Sequence, residues 1–157
     1  MTVSKIRIVD DLILRSKIVA IIKATEKEIL LDYVQEIITV TNKEIDYQLL
    51  NEKVINEVVT SFHKWRNNEV NFKILRSRIF KLHSLARVET NEIIKTYYRF
   101  LAHALATAHV VDHLEVALDY LIKLVNLKTN NLSQESTDNR LLQIDLLNNI
   151  IELKQKV

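Results

Sequence analysis

The sequence predicts an all-α fold, a single-domain helical bundle of about six or seven helices over residues 1–157. Glycine and proline are both absent, so the usual turn residues of a multi-strand sheet are missing. Apolar residues recur at intervals of three and four along most of the chain, which is the period of helices that cover a core. A hydrophobic fraction of 48% with 27% charged residues is typical of a folded domain rather than a disordered chain.

The first three helices are predicted from apolar stripes and from one capping pattern. The first stripe runs through Ile6, Ile8, Val9, Leu12, Ile13, Val19 and Ile22. Thr25 and Glu28 have the spacing of a capping box, which predicts that a second helix begins there and continues to Ile38. A third helix is expected over about 46–66, where large apolar residues again follow helical spacing.

Asparagine replaces glycine as the residue expected to end helices, because it is the next best residue at positive φ. The candidates are Asn42, Asn67, Asn68, Asn126, Asn130 and Asn131. A fourth helix is predicted after Asn67 and Asn68 from apolar residues at steps of three and four. These residues are Phe72, Leu75, Ile79, Leu82 and Ala86.

An alanine-rich helix over about 91–110 is predicted to be the centre of the bundle. Its alanines at 102, 104, 106 and 108 place small side chains on several faces, so neighbouring helices can enclose it. Asp112 and Glu115 have the spacing of an acidic cap and its partner, which predicts a bend near Val111 and a sixth helix. One continuous helix is the alternative. The polar stretch of about 126–138 is predicted to be a loop before a final helix over about 138–156.

The composition disfavours several classes of function. Without glycine the chain has no P-loop, Rossmann fingerprint or kinase loop, and without cysteine it has neither disulfides nor thiolate chemistry. The first twenty residues are charged, unlike a signal peptide, and no apolar run reaches the roughly 18 residues of a membrane span. We therefore expect a cytoplasmic protein that does not enter a membrane. No serine stands in a nucleophile elbow and the acidic residues are scattered as helix surface charges, so we also expect a protein that is not an enzyme and needs no cofactor.

Positive charge is concentrated in the middle of the chain. Residues 63–100 contain nine basic residues against three acidic ones, whereas each flank has two more acidic than basic residues. Four of the central bases are the candidate partner-binding residues: Arg76, Arg78, Lys81 and Arg87. Because they spread around the fourth helix outside its apolar stripe, a solvated face is the first interpretation and an acidic protein partner is the second. Nucleic acid ranks below both, and we expect no nucleic-acid partner.

The histidines are the main chemical candidates, and all five lie between residues 63 and 113. His109 and His113 are four residues apart, which puts two metal ligands on one face if the helix is continuous; a bend at Asp112 would spoil this geometry. A third ligand would come from His83 or His103, although His103 projects about 120° from His109 on a straight helix. The alternative is that the histidines bond to buried backbone or acidic groups between helices.

A longer set of residues carries a family resemblance. The set comprises Trp65, His83-Ser-Leu-Ala-Arg87, Ala102-His103-Ala-Leu-Ala-Thr-Ala-His109-Val110, His113, Ala117 and Tyr120. Over about 62–124 the chain resembles the bacterial immunity proteins of polymorphic toxin systems. It departs from their pattern at turns, with Asn67-Asn68 where glycine is usual and Val111-Asp112 where proline is common. The N-terminal third is unmatched.

The resemblance implies a small all-α cytosolic protein that binds and neutralises a cognate toxin without turnover. The family-motif histidines are then His83, His103, His109 and His113. The basic middle of the chain would favour a toxin with an acidic face, since complementary charge speeds the encounter. Two alternatives stay open. One is a metal-binding helical protein that uses these histidines, and the other is a helical module that self-associates into a homo-oligomer through long apolar stripes.

Overall fold

The computed structural model describes residues 3–156 and confirms the all-α prediction. Within this range there are seven α-helices and no strand. The helices are α1 (Leu12–Lys23), α2 (Lys27–Asn42), α3 (Glu52–Arg66), α4 (Phe72–Val88), α5 (Glu92–Ala106), α6 (Asp112–Thr129) and α7 (Ser133–Gln155), with a short 3₁₀ turn at Tyr47–Leu49.

Helix α5 is the central alanine-rich helix, as predicted. It packs against α4, α6 and α2, while α7 lies against α1, α2 and α6. Ten of the fifteen α5 residues are buried, and Ala102 and Ala104 have no exposed surface. Because alanine side chains are short, the neighbouring helices can approach the α5 backbone closely from more than one side.

The bend predicted near Val111 is present, because α5 ends at Ala106 and α6 begins at Asp112. The predicted cap is wrong. Val111 occupies the N-cap position without a side-chain hydrogen bond, and Asp112 is already the first helical residue. Asp112 and Glu115 still lie in the first turn, where the helix dipole favours negative charge.

The capping box predicted at Thr25 is also wrong. The Thr25 hydroxyl donates to the Ile21 carbonyl in the preceding turn at 2.6 Å, and the N-cap position of α2 is Glu26, which forms no side-chain cap bond. The third helix starts later than predicted, at Glu52, because Asn51 caps it by accepting a hydrogen bond from the amide three residues on. Local sequence spacing therefore misplaced both of these helix starts.

Residues 3–11, before α1, are not helical, and the side chain of Asn126 forms hydrogen bonds with Val9 in this segment. Asn126 accepts a hydrogen bond from the Val9 amide at 2.7 Å and donates to the Val9 carbonyl at 3.0 Å. It also donates to the Ser136 hydroxyl at 2.8 Å. Asn126 is therefore a buried polar group inside α6 and not a helix stop, and the first helix begins at Leu12 instead of near Ile6.

The polar loop predicted over about 126–138 is much shorter than expected. Only residues 130–132 separate α6 from α7. Asn130 and Asn131 make the turn with φ values of 54° and 64°, as expected for asparagine in the place of glycine. Asn68 is likewise at positive φ, 59°, between α3 and α4. Most polar side chains of residues 127–138 are exposed, although Ser136 among them is buried.

A buried ionic network ties the N-terminal segment to α1, α6 and α7. Arg140 donates to both carboxylate oxygens of Asp10, at 2.9 and 2.7 Å, and to Asp119 at 2.7 Å. Arg15 donates to both oxygens of Asp119, at 2.9 and 2.8 Å. All four side chains are between 1% and 4% exposed. The two guanidinium groups balance the charges of the two carboxylates inside the bundle.

Asp119 stays ionised within this network. Burial alone would raise the pKa of Asp119, but the hydrogen bonds from Arg15 and Arg140 outweigh burial, so its pKa is lowered. A carboxylate without these partners would be costly to bury, which makes the network a condition for packing α7 against α6.

Candidate functional site

The four basic residues predicted to bind a partner do not form one patch. Arg78 and Lys81 point towards α3, where both contact Glu57, at 3.1 and 3.7 Å. Arg76 lies on another side of α4, with its guanidinium 5.0 Å from the centre of the Phe80 ring. Arg87 follows two turns after Phe80 and donates to the Ser84 hydroxyl at 2.9 Å.

A cleft of about 590 Å³ opens between α4, the end of α5 and the start of α6. Its lining combines two aromatic rings, two fixed cations and three histidines with two aliphatic residues. The lining residues are Phe72, Lys73, Arg76, Ile79, Phe80, His83, Ala106, His109 and His113. We call this the α4 cleft. It brings together Arg76, one of the predicted partner-binding residues, and three of the four motif histidines.

Phe80 is the residue of this site that sequence reasoning missed. It is 53% exposed although it is a large apolar side chain. Phe80 does not belong to the apolar stripe of α4, which faces the core through Leu75, Ile79, Leu82 and Ala86. An aromatic residue outside the stripe, between basic residues, is the sequence signal that could have identified it.

His83, His103 and His113 form a cluster between α4, α5 and α6. The ring centres of His83 and His103 are 5.2 Å apart, and those of His103 and His113 are 5.4 Å apart. The Nδ1 atoms of His103 and His113 are 3.2 Å apart, so one ring donates a hydrogen bond to the other. His103 also stacks on Tyr120, with ring centres 5.4 Å apart and planes 13° apart. The histidines therefore join helices, as one interpretation expected, but through one another and not through acidic groups.

Burial keeps this cluster uncharged near neutral pH. Burial, followed by the positive charges of Arg99 and Arg87, lowers the pKa of His83 to about 4. Burial and the neighbouring histidines lower the pKa of His103 to about 4, and burial also lowers the pKa of His113. Arg99 donates to Nδ1 of His83, so the single proton of the neutral His83 ring is on Nε2.

His109 has a different environment from the cluster. Its ring stacks on Phe72, with centres 4.8 Å apart and planes 15° apart. The bend before Asp112 places His109 outside α6, so His109 and His113 are not one turn apart on a continuous helix. Within residues 3–156, no group of three or more histidine, aspartate or glutamate side chains is placed to hold a metal ion.

No helix in residues 3–156 has both the length and the apolar character to cross a membrane. The model of the Imm-5 like putative immunity protein family matches residues 20–150, more than half of the chain. The chain belongs to this family. No curated protein and no solved structure matched it.

Membership in the immunity protein family confirms the resemblance and extends it in both directions beyond residues 62–124. The match includes α2 and α3, most of which sequence reasoning had left in the unmatched part of the chain. It also includes the whole lining of the α4 cleft, from Phe72 to His113.

Proposed function

We propose that this immunity-family protein binds a toxin in the cytoplasm and neutralises it by occupying part of the toxin surface, without turning over a substrate. The observation that carries the proposal is the family match over residues 20–150. An all-α bundle with a buried ionic network and an enclosed central helix is suited to present a rigid surface. Rigidity reduces the entropy that is lost when two proteins associate.

The face of α4 beside the cleft is the proposed contact surface. Phe80 is half exposed, with the Arg76 guanidinium 5.0 Å from its ring, and Lys73 lines the same cleft. Aromatic residues and arginines dominate the binding energy of many interfaces, and a charged rim steers the encounter. This surface would therefore select a toxin face that offers carboxylates around an apolar contact.

The opposite side of α4 is less suited to the contact. Arg78 and Lys81 both approach Glu57, so part of their charge is already balanced within the chain. We therefore assign the contact to Lys73, Arg76, Phe80 and Arg87 and leave Arg78 and Lys81 outside it. The pair Arg78 and Lys81 then offers a matched control with the same helix and the same charge.

Co-expression with the toxin encoded beside this chain in its genome tests the proposal. The wild-type chain should restore growth of a bacterial host that expresses the toxin. The double variant Lys73→Glu with Arg76→Glu reverses the charge of the cleft side. It should abolish protection, because like charges would then face each other across the contact. The control double variant Arg78→Glu with Lys81→Glu should still protect. Thermal unfolding of both double variants should show that each is folded.

Two outcomes would contradict the proposal. Failure of the wild-type chain to protect against the adjacent toxin, or the absence of any toxin beside the gene, would remove toxin neutralisation. Equal protection by the two double variants would remove the α4 cleft side as the contact surface and leave neutralisation in place.

A further inference from the structure

We propose that the α4 cleft is a receptor for one carboxylate side chain of the partner protein, flanked by an apolar residue that packs on Phe72 and Phe80. This inference rests on the proposed function, because it names the chemistry of the partner at the same surface. It goes further by assigning a defined pocket and a defined ligand group to that surface.

The charge of the cleft selects an anion. Lys73 and Arg76 are fixed cations on its wall, and none of the nine lining residues is acidic. On another side of α4, Arg78 and Lys81 have a carboxylate neighbour in Glu57. The guanidinium carbon of Arg76 instead lies over the Phe80 ring, 5.0 Å from the ring centre. A guanidinium stacked on an aromatic ring keeps its N–H edge directed outward for a carboxylate.

His83 adds a neutral donor to the same wall. His83 is a cleft-lining residue, and its Nδ1 accepts a hydrogen bond from Arg99, which leaves the proton on Nε2. A neutral ring in this tautomer has one N–H to donate to a carboxylate oxygen. His113 also lines the cleft, with Nδ1 engaged by His103. Hydrogen bonds at Nδ1 therefore restrain the orientation of both rings.

The apolar part of the lining favours a protein side chain over a free inorganic anion. Phe72, Ile79, Phe80 and Ala106 contribute to the wall, and the ring of His109 stacks on Phe72. A fully hydrated anion gains nothing from apolar contacts, whereas an acidic residue next to an apolar one fills both parts of the cleft. A volume of about 590 Å³ lies within the range of sites that hold small ligands.

Histidine NMR with a blocked dipeptide tests the inference without any toxin. The probe is N-acetyl-phenylalanyl-aspartyl amide, and the matched probe carries asparaginyl in place of aspartyl. The acidic probe should shift the imidazole resonances of His109 and His113 with an apparent Kd of about 1–10 mM, as expected for a fragment of an interface. The amide probe should shift them at least about threefold less.

Two double variants test whether Lys73 and Arg76 are needed for the shifts caused by the acidic probe. Lys73→Gln with Arg76→Gln should remove the shifts caused by the acidic probe, and Arg78→Gln with Lys81→Gln should retain them. Equal shifts with the two probes, shifts retained in the Lys73 and Arg76 variant, or no shift at the highest probe concentration would each overturn the carboxylate site. If one of these results is found while the wild-type chain still protects against its toxin, only the carboxylate site is overturned and the proposed function is retained. Probe binding without protection would remove the proposed function instead.

Discussion

Replacement of Arg140 by leucine should lower the free energy of unfolding by about 3–5 kcal/mol. Arg140 is 1% exposed and donates to Asp10 and Asp119. Leucine would leave Asp10 buried without its guanidinium partner and Asp119 with Arg15 alone. Breaking a buried ion pair by removing one partner is costly because a charge stays behind without compensation. Urea unfolding followed by circular dichroism measures the change.

Arg66 provides the matched control for Arg140. It also bonds to two carboxylates, Asp32 at 2.9 Å and Glu28 at 3.2 Å, but its side chain is 18% exposed and Glu28 is 80% exposed. Because Glu28 is exposed and Asp32 keeps Lys154 as a partner at 3.0 Å, Arg66→Leu should cost about 1 kcal/mol or less. Similar losses in the two variants would show that the buried network does not have the role we assign to it.

Acidification from pH 7.5 to pH 5.5 should lower the free energy of unfolding by about 2 kcal/mol. The folded state depresses the pKa of His83 and His103 to about 4, whereas a histidine in the unfolded chain titrates near pH ~6.5. Between these values the unfolded chain binds more protons than the folded one, so the stability is full above pH ~6.5 and falls as the pH drops towards 4. The depressed pKa of His113 acts in the same direction.

Substitution of the cluster tests the origin of this pH dependence. The variant with His83→Gln and His103→Gln should lose most of the difference between the two pH values, whatever its stability at pH 7.5. His63→Gln, on an exposed position of α3, should keep the difference. Carboxylates add little in this window, since they titrate near pH ~4 in the unfolded chain. A wild-type chain whose urea midpoint is the same at both pH values would contradict the buried neutral cluster.

Sequence spacing predicted the helices whose apolar stripe and end signals are both local. Helix α4 follows its stripe from Phe72, and Asn68 takes the positive φ that glycine would otherwise supply. The spacing did not predict structure that depends on a residue far away in the sequence. Asn126 holds Val9, 117 positions away in the chain, and Arg140 reaches Asp10 over 130 positions. No local pattern contains these pairs, so local spacing could not predict them.

The sequence indicated which residues could have a chemical role at the site, but it did not predict how they are arranged in space. The histidines and bases were identified as the groups with chemistry, because they are concentrated between residues 63 and 100 and in the motif that follows. The division of the bases depends on Glu57 of α3, which pairs with Arg78 and Lys81 across a helix contact. The exposure of Phe80 likewise depends on which face of α4 the other helices leave uncovered, and local sequence spacing does not determine this.

The most direct measurement of the central claim is the affinity of the purified chain for the toxin that we propose as its partner, by isothermal titration calorimetry. We expect a tight complex with the wild-type chain and a Kd that rises at least about tenfold when Phe80→Ala removes the exposed ring next to Arg76. The control variant Arg78→Ala should bind within about twofold of the wild type, because its side chain contacts Glu57 outside the cleft. An unchanged Kd for Phe80→Ala with a raised Kd for Arg78→Ala would contradict the account.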